Sequence, residues 1–262
     1  MKIGFIGGGN MGSAIIDGLL ASGYSPDDIN VCELSEARRQ ELSSKGLNVT
    51  DSAVRLEDMS DVVIFAVKPN VIDFVLKQMM GNGDKIYISI AAGVSIAHLE
   101  EILGSDKKIV RTMPNTPAQV GSGMTVVTPN DNMTDSDTEK VIKILSAVGD
   151  TEILPEKFMN IATALHGSSP AYVYMMIDAM ADAGVAYGLT KDQAIRLAAK
   201  AVEGSAKMVL ETGVHPEKLK DNVCSPGGTT IAAVCDLERN GFKATMQSAV
   251  DACVLRAEEM SK

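Results

Sequence analysis

The chain has no cluster of lysine or arginine, and its formal net charge is −10 with a pI near 4.8. That balance argues against nucleic acid or an anionic membrane as partner. No apolar run approaches the ~18 residues needed to span a bilayer. No signal peptide precedes Met1-Lys2-Ile3, and the four cysteines (Cys32, Cys224, Cys235, Cys253) show no close pairing, so free thiols in a reducing cytoplasm are expected. Low-complexity tracts and internal repeats are lacking. No His/Cys/Asp spacing suits a metal site; His98 and His215 sit in polar helix-edge contexts. The 45% hydrophobic content over 262 residues is enough for one large domain or two smaller ones.

The chain opens on a motif. Lys2-Ile3-Gly4-Phe5-Ile6 reads as a short buried strand, and Gly7-Gly8-Gly9-Asn10-Met11-Gly12 follows at once. Ser13 to Leu20 then carries apolar residues at helical spacing. G-x-G-x-x-G between a strand and a helix is a dinucleotide-binding signature. Gly7 permits the tight turn, Gly9 lets the backbone approach a pyrophosphate, and Gly12 lets the helix pack against the strand. Ile29 to Cys32 reads as a second strand ending at Glu33, whose carboxylate suits the adenosine ribose hydroxyls and repels a 2′-phosphate. This favours NADH. Arg38 and Arg39, on a helix expected over Ser35–Lys45, read as part of its solvated face in preference to an approach to a 2′-phosphate.

Strands and helices alternate to about residue 153. Asp61–Val67, Ile86–Ile90, Lys108–Met113 and Thr125–Thr128 read as strands, several with tips rich in Ala, Gly and Pro. Ligands in an open parallel sheet lie beyond the carboxyl ends of its strands. Ala66-Val67-Lys68-Pro69 and Ala91-Ala92 are therefore the next candidates for cofactor contact, though plain strand-to-helix turns use the same residues.

After Pro155, Met, Ala and Leu dominate at helical spacing. The expected division is a Rossmann-type, doubly wound α/β domain over 1–155 and an all-α domain over 156–262. The helix from Ala171 to Ala186 is apolar nearly all round, with Asp178 and Asp182 its only charges. Such a helix must be covered on most sides, which ~105 residues barely achieve alone. Burial against a second subunit is the simplest answer. The two aspartates read as a solvated stripe in preference to an acid/base pair.

Thirteen uncharged residues, Asn222 to Val234, hold Ser225-Pro226-Gly227-Gly228-Thr229-Thr230. Ser225-Pro226 ends a helix, the glycine pair turns the chain, and Thr229 or Thr230 is expected to cap a helix running from Ile231 toward Glu238. A helix start of this kind receives an anion, and an ordinary inter-helix turn has the same composition.

Gly7 to Gly12, Ala66 to Pro69, Ala91-Ala92-Gly93, Met113-Pro114-Asn115, Gly167-Ser168-Ser169-Pro170-Ala171-Tyr172 and Ser225 to Thr230 together resemble the pyrroline-5-carboxylate reductases, end to end and in the family's order. The resemblance implies a Rossmann domain, then a helical dimerisation domain interlocked with its twin, with dimers often joined into decamers. It implies NAD(P)H-dependent reduction of 1-pyrroline-5-carboxylate to L-proline. NADPH is common in the family. Thr230 matches the threonine that reaches the ring nitrogen, and the substrate carboxylate falls to the N–H groups around Gly228, Thr229 and Thr230, with Asn222 and Ser225 beside them. Three residues depart from the pattern. Glu33 and His166 stand where small residues are usual, and Ala53 stands where many relatives have asparagine. Two rivals are a 3-hydroxyacid dehydrogenase of similar plan and a non-enzymatic dinucleotide sensor. The first is disfavoured because no lysine occurs between Gly167 and Asp182.

Overall fold

Apolar runs of four residues form the centre of one sheet because both of its faces are covered. The computed structural model describes residues 1–79 and 81–260. Its strands are β1 (Ile3–Ile6), β2 (Ile29–Cys32), β3 (Asn48–Thr50), β4 (Val62–Phe65), β5 (Ile86–Ser89), β6 (Lys108–Met113), β7 (Gly123–Pro129) and β8 (Gly149–Ile153). They lie in the order β3-β2-β1-β4-β5-β6-β7-β8. Every neighbouring pair is parallel except β6 and β7. Strand alternation sorts the apolar run into two cores. Ile3, Phe5, Val62, Ile64, Ile86 and Ile88 pack in one, while Ile6, Val63, Phe65 and Tyr87 pack in the other.

The helices between strands are α1 (Asn10–Ala21), α2 (Glu36–Ser44), α3 (Ala53–Asp58), α4 (Pro69–Leu76), α5 (Ile96–Leu103) and α6 (Asp135–Leu145). Ser35, Ser52, Ser95 and Thr134 start four of them, each side chain accepting from the N–H three residues on. Ala53, the departure from the family asparagine, is buried at the start of α3. Strand order reverses between β1 and β4. A doubly wound sheet opens a ligand crevice at that reversal, outside the carboxyl ends.

After β8 the chain is helical: α7 (Met159–Ala162), a π-helical turn over Thr163–Gly167, then α8 (Ser169–Ala186), α9 (Lys191–Thr212), α10 (Pro216–Val223), α11 (Thr229–Arg239) and α12 (Phe242–Met260). The fold is thus a Rossmann-type sheet followed by a helical region. Two compact units divide at Gly167 and Ser168, and the chain from Cys253 on packs with the first. The composition change at Pro155 and this contact boundary differ because α7 and the π-helical turn pack on the first unit: Met159 and Ala162 join Val126 in a small buried cluster.

In the second unit, α9 begins with a capping box between Thr190 and Gln193. Gly184 lets α8 and α9 approach, since a Cβ there would stand 2.9 Å from Ala194 Cβ. Asp178 and Asp182 both pair with Lys191, at 2.5 and 2.6 Å, on the exposed side of that contact. The two aspartates thus share one lysine as an ion cluster.

Candidate active site

The glycine turn is shaped by what lies against each Cα. Gly7 has φ +99°, and a Cβ there would meet Ala66 O at 2.7 Å. A Cβ on Gly12 would stand 2.7 Å from Gly7 O and 3.1 Å from Ala66 Cβ, so α1 can sit this close to the β1 and β4 tips only with glycine. A Cβ on Gly9 would meet nothing within 4 Å. This open side lies where α1 begins with no side chain capping it. Its first N–H groups, from Asn10 onward, have no acceptor inside the helix. The arrangement fits a pyrophosphate, the group such a turn receives through backbone donors.

Glu33, at the end of β2, accepts from Gly8 N through Oε2 and from Ser35 N through Oε1, both at 3.0 Å. Beside it, burial pushes the Cys32 thiol up to about 11, with the charges of Asp51 and Glu33 adding to the effect. The expectation of solvated arginines fails. Arg38 turns back onto Gly8 O (2.9 Å), Ser13 Oγ and Glu41, and Arg39 donates to the carbonyls of Glu33 and Leu34 at 2.9 and 2.7 Å. Sequence reading missed the ties of Ser13 and Arg38 to the turn, because nothing in a helical pattern shows which way a long side chain folds.

Ala66 and Val67 follow β4 half-buried, and Lys68 is the N-cap of α4 with Pro69 in its first turn. Ala91 is buried beyond β5, with Ala92 partly open beside it. These two and Gly93 share a small cavity with Met113, Ala257 and Met260. The glycine turn, Glu33, Ala66 to Pro69 and Ala91-Ala92 thus line the carboxyl edge of one sheet.

His166 is half-buried, with each ring nitrogen facing a backbone carbonyl. Its Nδ1 lies 2.6 Å from Ala162 O and its Nε2 2.7 Å from Met113 O. Asn115 answers by donating from Nδ2 to His166 O at 3.0 Å, and its Oδ1 accepts from Met124 N. The β6 tip is therefore tied to the π-helical turn, and the end of the Met113 side chain lies close against Gly167. The other two histidines are also engaged. His98 Nε2 meets Asp73 at 2.7 Å, and His215 starts α10 by accepting from Glu217 N. Among the described residues no group of three or more His, Cys, Asp or Glu is placed to hold a metal ion.

The second unit holds the uncharged loop, with Asn222, Ser225 and Thr229 exposed and Gly228 and Thr230 half-buried. The expected threonine cap is corrected. Gly228 is the N-cap, no side chain caps α11, and both threonines lie inside its first turn. Gly227 has φ +69°, and the N–H of Gly228 closes the turn onto Ser225 O at 3.0 Å. Because that donor is used, the helix-end donors are those of Thr229, Thr230 and Ile231; the first intrahelical bond runs from Ala232 N to Gly228 O.

A Rossmann-type sheet with an uncapped glycine turn before α1 and a carboxylate at the end of β2, followed by a helical unit, is the plan of an NAD(P)H-dependent oxidoreductase. Residues 156–260 match the family model described as pyrroline-5-carboxylate reductase dimerisation, and residues 2–93 match one described as NADP oxidoreductase coenzyme F420-dependent. The chain is 48% identical over 265 residues to the pyrroline-5-carboxylate reductase of Escherichia coli (strain K12), covering all of this chain and 98% of that one. A solved pyrroline-5-carboxylate reductase from Coxiella burnetii superposes with TM-score 0.94 at 36% identity, covering 100% of this chain and 98% of that one. The Plasmodium falciparum enzyme, solved with NADP bound, gives 0.90 at 36% identity and the same coverage. The chain belongs to the pyrroline-5-carboxylate reductase family. Its helical region is a dimerisation domain, so the protein self-associates. No described helix is long and apolar enough to cross a membrane.

Proposed function

We propose that the chain reduces the cyclic imine 1-pyrroline-5-carboxylate to L-proline, with Thr230 orienting the ring nitrogen and the α11 N-terminus receiving the carboxylate. The uncharged loop from Asn222 to Thr230, ending in an uncapped helix start, carries this reading. Backbone donors hold an anion without an arginine, and Asn222 and Ser225 add side-chain donors at the rim. The bound nicotinamide supplies the hydride. A protonated imine is already electrophilic, so positioning by Thr230 and the loop replaces strong acid-base groups.

Gly7 to Gly12 hold the pyrophosphate, Glu33 the adenosine ribose, and Ala66 to Pro69 with Ala91-Ala92 line the remaining path of the dinucleotide. Because Glu33 presents a carboxylate where a 2′-phosphate would lie, NADH serves at least as well as NADPH. The assembly is a dimer that joins others of its kind into a decamer, and the setting is cytoplasmic.

Assaying reduction of the imine with each cofactor tests the reaction, and Thr230→Val tests the site. Losing one positioning hydrogen bond lowers kcat/KM for the imine roughly ten- to a thousandfold while NAD(P)H affinity stays the same. A Val variant with wild-type turnover removes Thr230 from the mechanism, and strong NADPH preference in the wild type removes Glu33 as the discriminator.

A further inference from the structure

Both backbone polar groups of Gly8 are held by side chains from the segment that follows β2. Its N–H donates to Glu33 Oε2 at 3.0 Å. Its carbonyl accepts from Arg38 Nε at 2.9 Å and from Ser13 Oγ at 3.0 Å, and Arg38 Nη2 reaches Ser13 Oγ as well. Gly8 itself is buried, and a Cβ on it would stand 2.7 Å from Leu42 Cδ1. Arg39 holds the corner from below, donating to the carbonyls of Glu33 and Leu34. Every donor nitrogen of Arg38 is thereby engaged, its Nη1 with Glu41.

We propose that Arg38 is a positioning residue of the pyrophosphate turn and that, with Glu33 and Ser13, it clamps the backbone on both sides of the Gly8 Cα so that the phosphate-reading and ribose-reading parts of the site move as one. The physical reason is the planar fork of the guanidinium, which spans Gly8 O and Ser13 Oγ together as a lysine ammonium cannot. A fixed turn meets the pyrophosphate without an ordering cost at binding, so loss of the clamp appears as weaker affinity. The effect falls equally on NADH and NADPH, because both carry the pyrophosphate and only one carries the 2′-phosphate. The inference rests on the reading of Gly7 to Gly12 as the dinucleotide site and is independent of the imine.

The test is fluorescence titration of the intact protein with NADH and with NADPH, without imine, beside kcat measured at saturating cofactor. Arg38→Met is expected to raise both Kd values by the same factor, about tenfold, with kcat little changed. Arg38→Lys keeps the charge and loses the fork, so it is expected to behave like the Met variant. Ser13→Ala leaves the charges untouched and is expected to weaken both cofactors in the same proportion, about threefold, which keeps the clamp testable if Arg38→Met fails to fold. Selective loss of NADPH binding in Arg38→Met would make Arg38 a 2′-phosphate ligand and overturn the proposal. So would full rescue by lysine, or unchanged Kd values in Ser13→Ala. Wild-type protein that binds neither cofactor overturns the dinucleotide site itself, while wild-type protein that binds NADH and fails to reduce the imine overturns only the substrate assignment.

Discussion

The first unit closes its own core, and the second does not. Phe5, Phe65, Tyr87 and the aliphatic residues of the central strands are fully buried within one chain. Between Ser168 and Ala252 only Pro170, Ala181, Ala194 and Ala198 are buried, while Met175 and Leu210 stand 73% and 78% exposed. A parallel sheet must be covered on both faces by the helices that connect it, so its core is intramolecular by construction. Long helices carry their apolar faces wherever a partner lies, and here the partner is a second copy of the chain. Exposed apolar surface on this scale marks an interface in a protein that self-associates.

Charging the open unit should give the largest effect. Met176→Glu places a carboxylate on α8 with no partner, at a cost of several kcal/mol in the dimer. Sedimentation is expected to show dissociation, with activity lost in parallel. An active monomer at assay concentration would end the case for a partner-dependent unit.

A cavity in the closed unit should act differently. Phe65 is fully buried and stacks on Tyr87, ring centroids 6.1 Å apart. Phe65→Ala is expected to cost about 3–5 kcal/mol and to leave the dimer intact in sedimentation below its lowered melting temperature. Loss of the dimer there would blur the distinction between the two units.

The smallest effect is electrostatic and confined to the first unit. Asp137 in α6 is buried; Lys140 and Thr134 hold its carboxyl well below the usual carboxylate range, with Lys108 helping, against the opposing effect of burial. A lowered native pKa stabilises fully above the unfolded value of 3.8, and that contribution fades as pH falls through the native one. Asp137→Asn should therefore cost about 1.5–3 kcal/mol at pH 7, as for a hydrogen bond to a charged group. Its deficit against wild type should narrow below about pH 4. Urea unfolding at equal protein concentration measures it, and a deficit unchanged at pH 3 would show that packing, not charge, is at stake.

The glycine turn was legible because each glycine answers a steric demand local to one strand-turn-helix unit: Gly7 against Ala66, Gly12 against Gly7 O, Gly9 against open space. The buried strands β1 and β4 were legible because burial on both faces leaves a short apolar run, whereas β3 and β8, whose residues are mostly not buried, carry no such run and were not read. The α11 cap was misread since Ser, Thr and Gly all start helices, and composition does not say which residue stands at the boundary. Arg38 was placed in water because helical periodicity assigns a face and not the path of a flexible side chain back to Gly8, 30 residues earlier.

The order of residues alone determined the Rossmann-type sheet, the dinucleotide turn, the carboxylate at the end of β2 and the need of α8 for a partner, since all of these are written in local spacing. Only the tertiary structure decided that Glu33 and Arg38 grip the backbone of the same residue, that His166 ties the β6 tip to the π-helical turn, and that the residues from Cys253 pack back with the first unit. These depend on contacts between segments far apart in the chain, which the fold brings together and no local pattern encodes.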